Sequence, residues 1–325
     1  MTQRVSVVVC AYSEQRWGQT RGALASVVGQ QPKPAQVILV VDHNSALAAW
    51  ARSELAQVTE LGAVTVLESD QQRGLSGARN CGLRAATEPI TAFLDDDAEA
   101  RQGWLESLVQ PYGRGDVVAT GGSIYPRWPR TRPKWMPLTF DWVVGCSYLG
   151  LPESVAAIRN PIGANMSMRT DLALRAGGFD AVVGRVQGRP SGCEETELAI
   201  RLAAMQPGAV VLYIPEAAVD HYVSPDRVKV SYFLRRCWHE GRSKAEVVRL
   251  AGAGAGLERE RRHVASVIPA ALLRDLRSAA MADAGAIGRV AAAIAGLAMA
   301  TLGYLAQRTR QALRLAASRS GPQPA

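Results

Sequence analysis

A chain of 325 residues can hold one full-sized domain with an appendage, and 48% hydrophobic against 20% charged residues excludes a disordered polypeptide. Five scattered cysteines without a CxxC pair (Cys10, Cys81, Cys146, Cys193, Cys237) argue against a zinc or disulfide framework and for a reducing, cytoplasmic setting. The net charge of +8 is unevenly placed: residues 225–325 carry 17 Lys/Arg and 7 Asp/Glu, residues 1–224 carry 20 and 22. Nucleic acid and anionic lipid are the two partners such a basic third suits, and its long uncharged run favours lipid and no nucleic acid.

In chain order, the N-terminal MTQRVSVVVCAYSEQ turns polar at Ser13, too soon for a signal peptide, and predicts a buried first strand over residues 5–10. Further β-branched runs predict strands over residues 37–41, 64–67 and 90–94, and the segments between them predict helices over 20–29, 46–61 and 76–86. Strands alternating with helices imply an α/β fold with a mostly parallel central sheet. The first, second and fourth strands each end in a polar cluster, Tyr12-Ser13-Glu14, Asp42-His43-Asn44 and Asp95-Asp96-Asp97. Ligands bind beyond the carboxyl ends of such strands, so three clusters on one edge define a site.

No GxGxxG follows the first strand and no GxxxxGK[ST] occurs, which disfavours NAD enzymes and P-loop NTPases. Residues 104–190, rich in Trp, Pro and Gly, predict a loop-heavy wall around a pocket. A helix is predicted over 194–205, a strand over 210–214, and helices from 228 onward, interrupted by AGAGAG at 251–256 and by Pro269.

In TAFLDDD, side chains two apart share a side of an extended strand, so Asp95 and Asp97 face together and Asp96 faces away. Two carboxylates can hold Mg²⁺ or Mn²⁺, which completes its shell with phosphate oxygens and water; alone, such a pair is more often a solvated strand end.

The ordered segments VSVVVCAYSE, VILVVDHNS, RGLSGARNCGL, TAFLDDD, GGFD and GCEETELAIR resemble glycosyltransferase family 2, across about residues 4–222. RGLSGARN, FDWVVGCSY, IGANMSMRTD and GCEETEL further resemble the glucosyl-dolichyl-phosphate glucuronosyltransferase-like branch of that family. The resemblance implies a GT-A (nucleotide-diphospho-sugar transferase) fold in residues 1–224 and inverting transfer from a UDP-sugar of glucuronate or glucose type, while charge and composition make residues 225–325 a basic helical extension. Ala11, Tyr12, Glu14 and Asp42 are the implied nucleoside contacts, although His43 stands where the family usually has a second acid or Asn. Arg79 would reach the nucleotide from the first turn of a helix capped by Ser76, or be a plain surface arginine. Asp95 and Asp96 would complete the donor contacts, with Asp97, Asp95 and His221 as ligands to Mn²⁺ or Mg²⁺. Glu195 falls at the general-base position, with Glu194 as rival, and an inverting transfer needs such a carboxylate to take the acceptor's proton. Gly163-Ala164-Asn165 resembles a substrate-facing loop.

The uncharged run at 290–306 is 17 residues long, short of the roughly 20 a spanning helix needs. Arg308, Arg310, Arg314 and Arg319 follow it and would lie outside the cell after one crossing, against the positive-inside tendency. An in-plane or re-entrant element on an anionic membrane surface is therefore expected, at the cytoplasmic face, with a glycan or polyprenyl-phosphate-linked acceptor. The alternative is a helix packed on its own domain or on a second copy, making a homo-oligomer. Two other classes share parts of this pattern: a nucleotidyltransferase, which would carry a Gly-rich basic loop after the first strand, and a non-catalytic membrane-surface scaffold, which would have lost the acidic motif or the base.

Overall fold

Strands β1 (Val5–Ala11), β2 (Gln36–Val41), β3 (Thr65–Glu68) and β4 (Ile90–Asp95) pair in parallel in the order β3-β2-β1-β4. Their near-continuous apolar sequence reflects burial on both faces. Val7 and Val9 pack with Leu24 of α1 (Trp17–Val28) and Leu47 of α2 (Ser45–Ala56). Val8 points the other way, with Ala78 and Leu83 of α3 (Leu75–Ala85). The computed structural model describes residues 3–181, 192–252, 260–261 and 263–319.

Beyond β4 the sheet continues through β8 (Asn165–Arg169), β6 (Val117–Arg127), β9 (Val210–Tyr222) and the short β5 (Ala98–Ala100), with β7 (Ala156–Ile158) also on β9. Strand β8 runs antiparallel to both β4 and β6, so β6 and β9 regain the direction of the first four strands. The sheet is therefore mixed but mostly parallel, with helices on both faces.

Several expectations shift. Helix α3 starts earlier than predicted: Gly74, at φ 123°, occupies the cap position, and Ser76 is inside the helix, donating to the Asp180 carbonyl. The stretch from residue 104 is less loop-like than its Trp and Pro content suggests. It holds α4 (Trp104–Val109), β6, β7, β8 and α5 (Thr170–Arg175), because Trp104 is a core residue whose indole N–H donates to Asn165. Strand β9 runs on through Tyr222, which puts His221 inside it, paired with Ala98. Pro269 does not break a helix; it lies in the first turn of α8 (Ile268–Ala280), once α6 (Glu194–Met205) and α7 (Val230–Ala251) are counted. Most of the AGAGAG run falls outside the described residues.

The uncharged run belongs to a longer helix, α9 (Ala286–Arg319). By length and composition this helix could cross a membrane, so the 17-residue count alone does not exclude crossing. Its packing is more informative. Ala293, Gly296, Ala300 and Gly303 lie against α7 and the Phe140–Phe233 pair, and a Cβ on Gly303 would collide with the Trp238 backbone. On the opposite side Ile287, Ile294, Leu302, Leu305 and Leu313 are exposed. At 100° per residue those five fall within roughly a quarter-turn arc.

Candidate active site

The three polar clusters meet because the parallel strands end level. Cys10 is in register with Asp95 and Ala11 with Val41, which brings residues 12–14, 42–44 and 95–97 to one edge. Side chains then stitch the edge together. The Asn44 amide caps α2 by accepting from the Leu47 N–H, and donates to Glu14 at 3.0 Å. The Asp42 carboxylate accepts from the Gly74 N–H at 3.0 Å and meets His43 Nδ1 at 2.7 Å. Tyr12 and Glu14 are exposed at the rim.

Asp95, Asp97 and His221 each offer one ligand atom, and the three atoms lie within 4.8 Å of one another. Strand β9 supplies His221, whose Nε2 is 3.2 Å from Asp97 Oδ1. Two residues not anticipated from the sequence hold the acids in place. Arg16 spans Asp96 at 2.7 Å and Asp97 at 2.5 Å, and Arg227 approaches Asp97 at 3.6 Å. Burial opposes ionisation of Asp97, but His221, Arg227 and Arg16 outweigh it and hold the carboxyl well below the usual carboxylate range. Burial, and then the Asp97 charge, push the Asp96 carboxyl up. Asp96 does not simply face away: it is buried on Arg16, and among the described residues its second oxygen has no partner. A buried orphaned carboxylate oxygen beside two carboxylates and an imidazole fits a divalent cation and its water shell.

Arg79 joins the two acidic groups. It is 2% exposed, so it is no surface arginine. Nη2 donates to Asp95 at 3.1 Å and to the Gly163 carbonyl at 2.9 Å, while Nη1 donates to Glu194 at 2.9 Å. A Cβ on Gly163 would sit 2.9 Å from Arg79 Nη2, so any side chain there would push the guanidinium off its partners. Helix α6 presents Glu194 and Glu195 from its first turn, where backbone N–H groups favour negative charge. Cys193 enters that helix at φ 91°, a backbone that non-glycine residues adopt at a cost of order 1–3 kcal/mol, and it aims the two acids inward. Glu197 faces elsewhere, paired with Arg201. Burial first, and the Glu194 charge second, raise the half-buried Glu195 carboxyl to about 7. Glu194 keeps one buried oxygen without a partner among the described residues.

A cavity of about 390 Å³ opens from this point, lined by Arg79, Asp95, Glu194 and Glu195 on one side and by Trp142 and Tyr148 of the Trp-rich stretch on the other. It continues to α7 and α9. So the structure brings Arg79, Asp95, Glu194 and Glu195 into one chamber, sets Asp96, Asp97 and His221 behind Asp95, and leaves Ala11, Tyr12, Glu14 and Asp42 at the strand edge outside it. Gly163 and Ala164 line the chamber, whereas the Asn165 side chain is fully buried in structural hydrogen bonds to Trp104, Ser123 and Ala217. Arg16 and Arg227 carry no signal in sequence, because only the fold brings them to Asp97. Arg236, Glu240 and Lys244 do carry one, at i, i+4 and i+8 on one helix face.

A mostly parallel sheet whose strand ends gather an acidic pair, an imidazole and a further acidic helix start defines the fold class, GT-A. The fold is similar to a mannosyltransferase from Pyrobaculum calidifontis solved with GDP-Man and Mn²⁺ (TM-score 0.61, 20% identity, 94% of this chain and 88% of that one). It is also similar to GalNAc-T7 solved with UDP, GalNAc and Mn²⁺ (TM-score 0.54, 16% identity, 80% of this chain and 54% of that one). The Glycosyl transferase family 2 model matches residues 6–177. The chain is 33% identical over 242 residues to the glucosyl-dolichyl phosphate glucuronosyltransferase of Haloferax volcanii, covering 74% of this chain and 76% of that protein. It is 25% identical over 250 residues to the succinoglycan biosynthesis protein ExoM of Rhizobium meliloti, covering 76% of each. The chain belongs to glycosyltransferase family 2 and is a glycosyltransferase.

Proposed function

We propose that the protein is a metal-dependent, inverting transferase that moves a sugar of glucuronate or glucose type from a UDP donor to an acceptor carried on polyprenyl phosphate. The observation that carries this reading is the Asp95–Asp97–His221 donor set tied through Arg79 to Glu194 and Glu195. The donor-sugar type and the lipid-borne acceptor draw support from the Haloferax relative, whose name specifies both a glucuronosyl transfer and a dolichyl phosphate acceptor.

Asp95, Asp97 and His221 would hold Mn²⁺ or Mg²⁺, which when bound neutralises charge on a departing diphosphate. Arg16 and Arg227 keep Asp97 ionised for that task. Tyr12, Glu14 and Asp42 form the rim on which the nucleoside lies. Glu195 takes the proton of the acceptor hydroxyl, and a base poised near neutrality suits that step. Arg79 positions both acidic groups and keeps Glu194 paired, which leaves Glu195 as the proton acceptor. Residues 225–325 act as a basic helical extension that closes the acceptor side and rests in plane on the anionic cytoplasmic face of the membrane, through the exposed apolar stripe of α9.

The test is release of UDP from UDP-glucuronate and UDP-glucose with Mn²⁺, Mg²⁺ or EDTA, in the presence of a glycosylated polyprenyl phosphate. Turnover of one donor that stops with EDTA, and stops on Glu195→Gln with UDP binding intact, supports the assignment. Turnover unaffected by EDTA removes the metal from it.

A further inference from the structure

The chamber has a second end, and its chemistry differs from the first. Past Glu195 it is lined by Arg159, Arg236 and Lys244 together with Glu240 and Glu260. Arg236 pairs with Glu240 at 2.8 Å, Lys244 with Glu240 at 3.3 Å and with Glu260 at 2.9 Å, and Arg159 with Glu260 at 2.7 Å. All three cations are largely buried, with side-chain exposures of 10–13%. Among the described residues, three cations thus share two carboxylates, and this end of the chamber is rich in cations where water is scarce. Unbalanced buried charge is costly unless something anionic completes it.

The same end opens onto a groove of about 490 Å³ between α8 and α9. Ile268, Leu297 and Thr301 line both spaces, so chamber and groove adjoin at these three side chains. The groove is walled by Leu272, Ala293, Ile294 and Leu302 and bears no charged side chain. It leads toward the exposed stripe of Ile294, Leu302 and Leu305.

Resting on the transferase reading above, we propose that this end is the acceptor-lipid site: a phosphate seats on Arg159, Arg236 and Lys244, and an isoprenoid chain leaves along the α8–α9 groove. One molecule then spans the whole feature. Its sugar hydroxyl lies at Glu195, its phosphate on the cations one sugar away, and its hydrocarbon in the apolar exit. A nucleoside diphosphate has nothing to put in the groove, and a free phosphate would leave it unused.

The experiment uses the full chain in a neutral detergent with farnesyl phosphate as probe, read by calorimetric titration. Farnesol and inorganic phosphate serve as controls, and the thermal shift with UDP and Mn²⁺ is measured on every sample. Farnesyl phosphate is expected to bind at least about tenfold tighter than either control, and Lys244→Met to weaken it about tenfold while Lys244→Arg largely restores it. Thr301→Trp, at an exposed position that narrows the junction, is expected to weaken farnesyl phosphate similarly. None of these changes should alter the UDP–Mn²⁺ shift. Equal binding of farnesyl phosphate to wild type and Thr301→Trp overturns the groove exit, and decides the matter even if Lys244→Met does not fold. Inorganic phosphate competing as well as farnesyl phosphate reduces the site to a simple anion site, and farnesol binding as well removes the cations from it. A wild-type chain that binds UDP but not farnesyl phosphate sinks this proposal alone. One that binds neither sinks the transferase reading itself.

Discussion

Glu195 stands half out of water next to Glu194, and burial together with that neighbour holds its proton up to about 7. As the proposed base, Glu195 must be deprotonated, so turnover should rise as pH increases through about 7 and fall away below it. Glu195→Gln should lower turnover by about 10²–10⁴-fold, flatten that acid limb and leave UDP affinity nearly unchanged. Arg79 is the other residue on which much depends. Replacing it with Met strands Asp95 and Glu194 without their shared cation, and losing one partner of a buried pair costs roughly 3–5 kcal/mol. Urea unfolding of Arg79→Met should show that loss, and a stability equal to wild type would mean the three groups do not form the unit described. The contrast between the acids was partly legible. Three adjacent Asp and a Glu pair announce proton and metal chemistry, but which acid is held ionised depends on Arg16, Arg227 and Arg79, which the fold delivers from other segments.

Helix α7 shows the same logic along one element. Burial opposes ionisation of Glu240, yet Lys244 and Arg236 outweigh it and hold the carboxyl down at about 2, from 4.5 in the unfolded chain. A depressed carboxyl contributes stability that is complete above the unfolded value and lost as pH falls toward the folded one. Unfolding free energy should therefore decline between about pH 4.5 and 2, and Glu240→Gln should make that decline shallower. Where α7 crosses α9 the contact is backbone to backbone: a Cβ on Gly241 would strike the Ala300 carbonyl, and one on Gly303 the Trp238 carbonyl. Gly241→Ala should cost about 1–3 kcal/mol by overpacking, seen as a lower melting temperature. Elements of this kind were readable where periodicity spoke, as at α6, whose bounds match the predicted 194–205. They were misread where composition misled. Trp104 and its neighbours looked like loop, because a tryptophan says nothing of whether it faces core or cleft. Ser76 looked like a cap, because only the φ of Gly74 reveals where the helix begins.

At the scale of the whole molecule, Asp95 of the acidic strand edge and the basic face of α7 line one chamber, and the apolar stripe of α9 lies beyond it. The parallel half of the sheet was plain from alternation, whereas the antiparallel insertion of β8, which turns β6 and β9 back into line, comes from long-range pairing that no local pattern records. Leu302→Asp with Leu305→Asp, both on the exposed stripe, should release the protein from anionic vesicles in a sedimentation assay, with binding to them weakening as salt is raised. The central claim is that the acidic edge binds a nucleoside diphosphate through a divalent cation, and calorimetric titration of UDP into the full chain tests it most directly. Binding with Mn²⁺ or Mg²⁺, none with EDTA, and none for Asp97→Ala with its fold intact is the predicted result. UDP binding that is equal with and without metal, or equal in Asp97→Ala, would contradict the account.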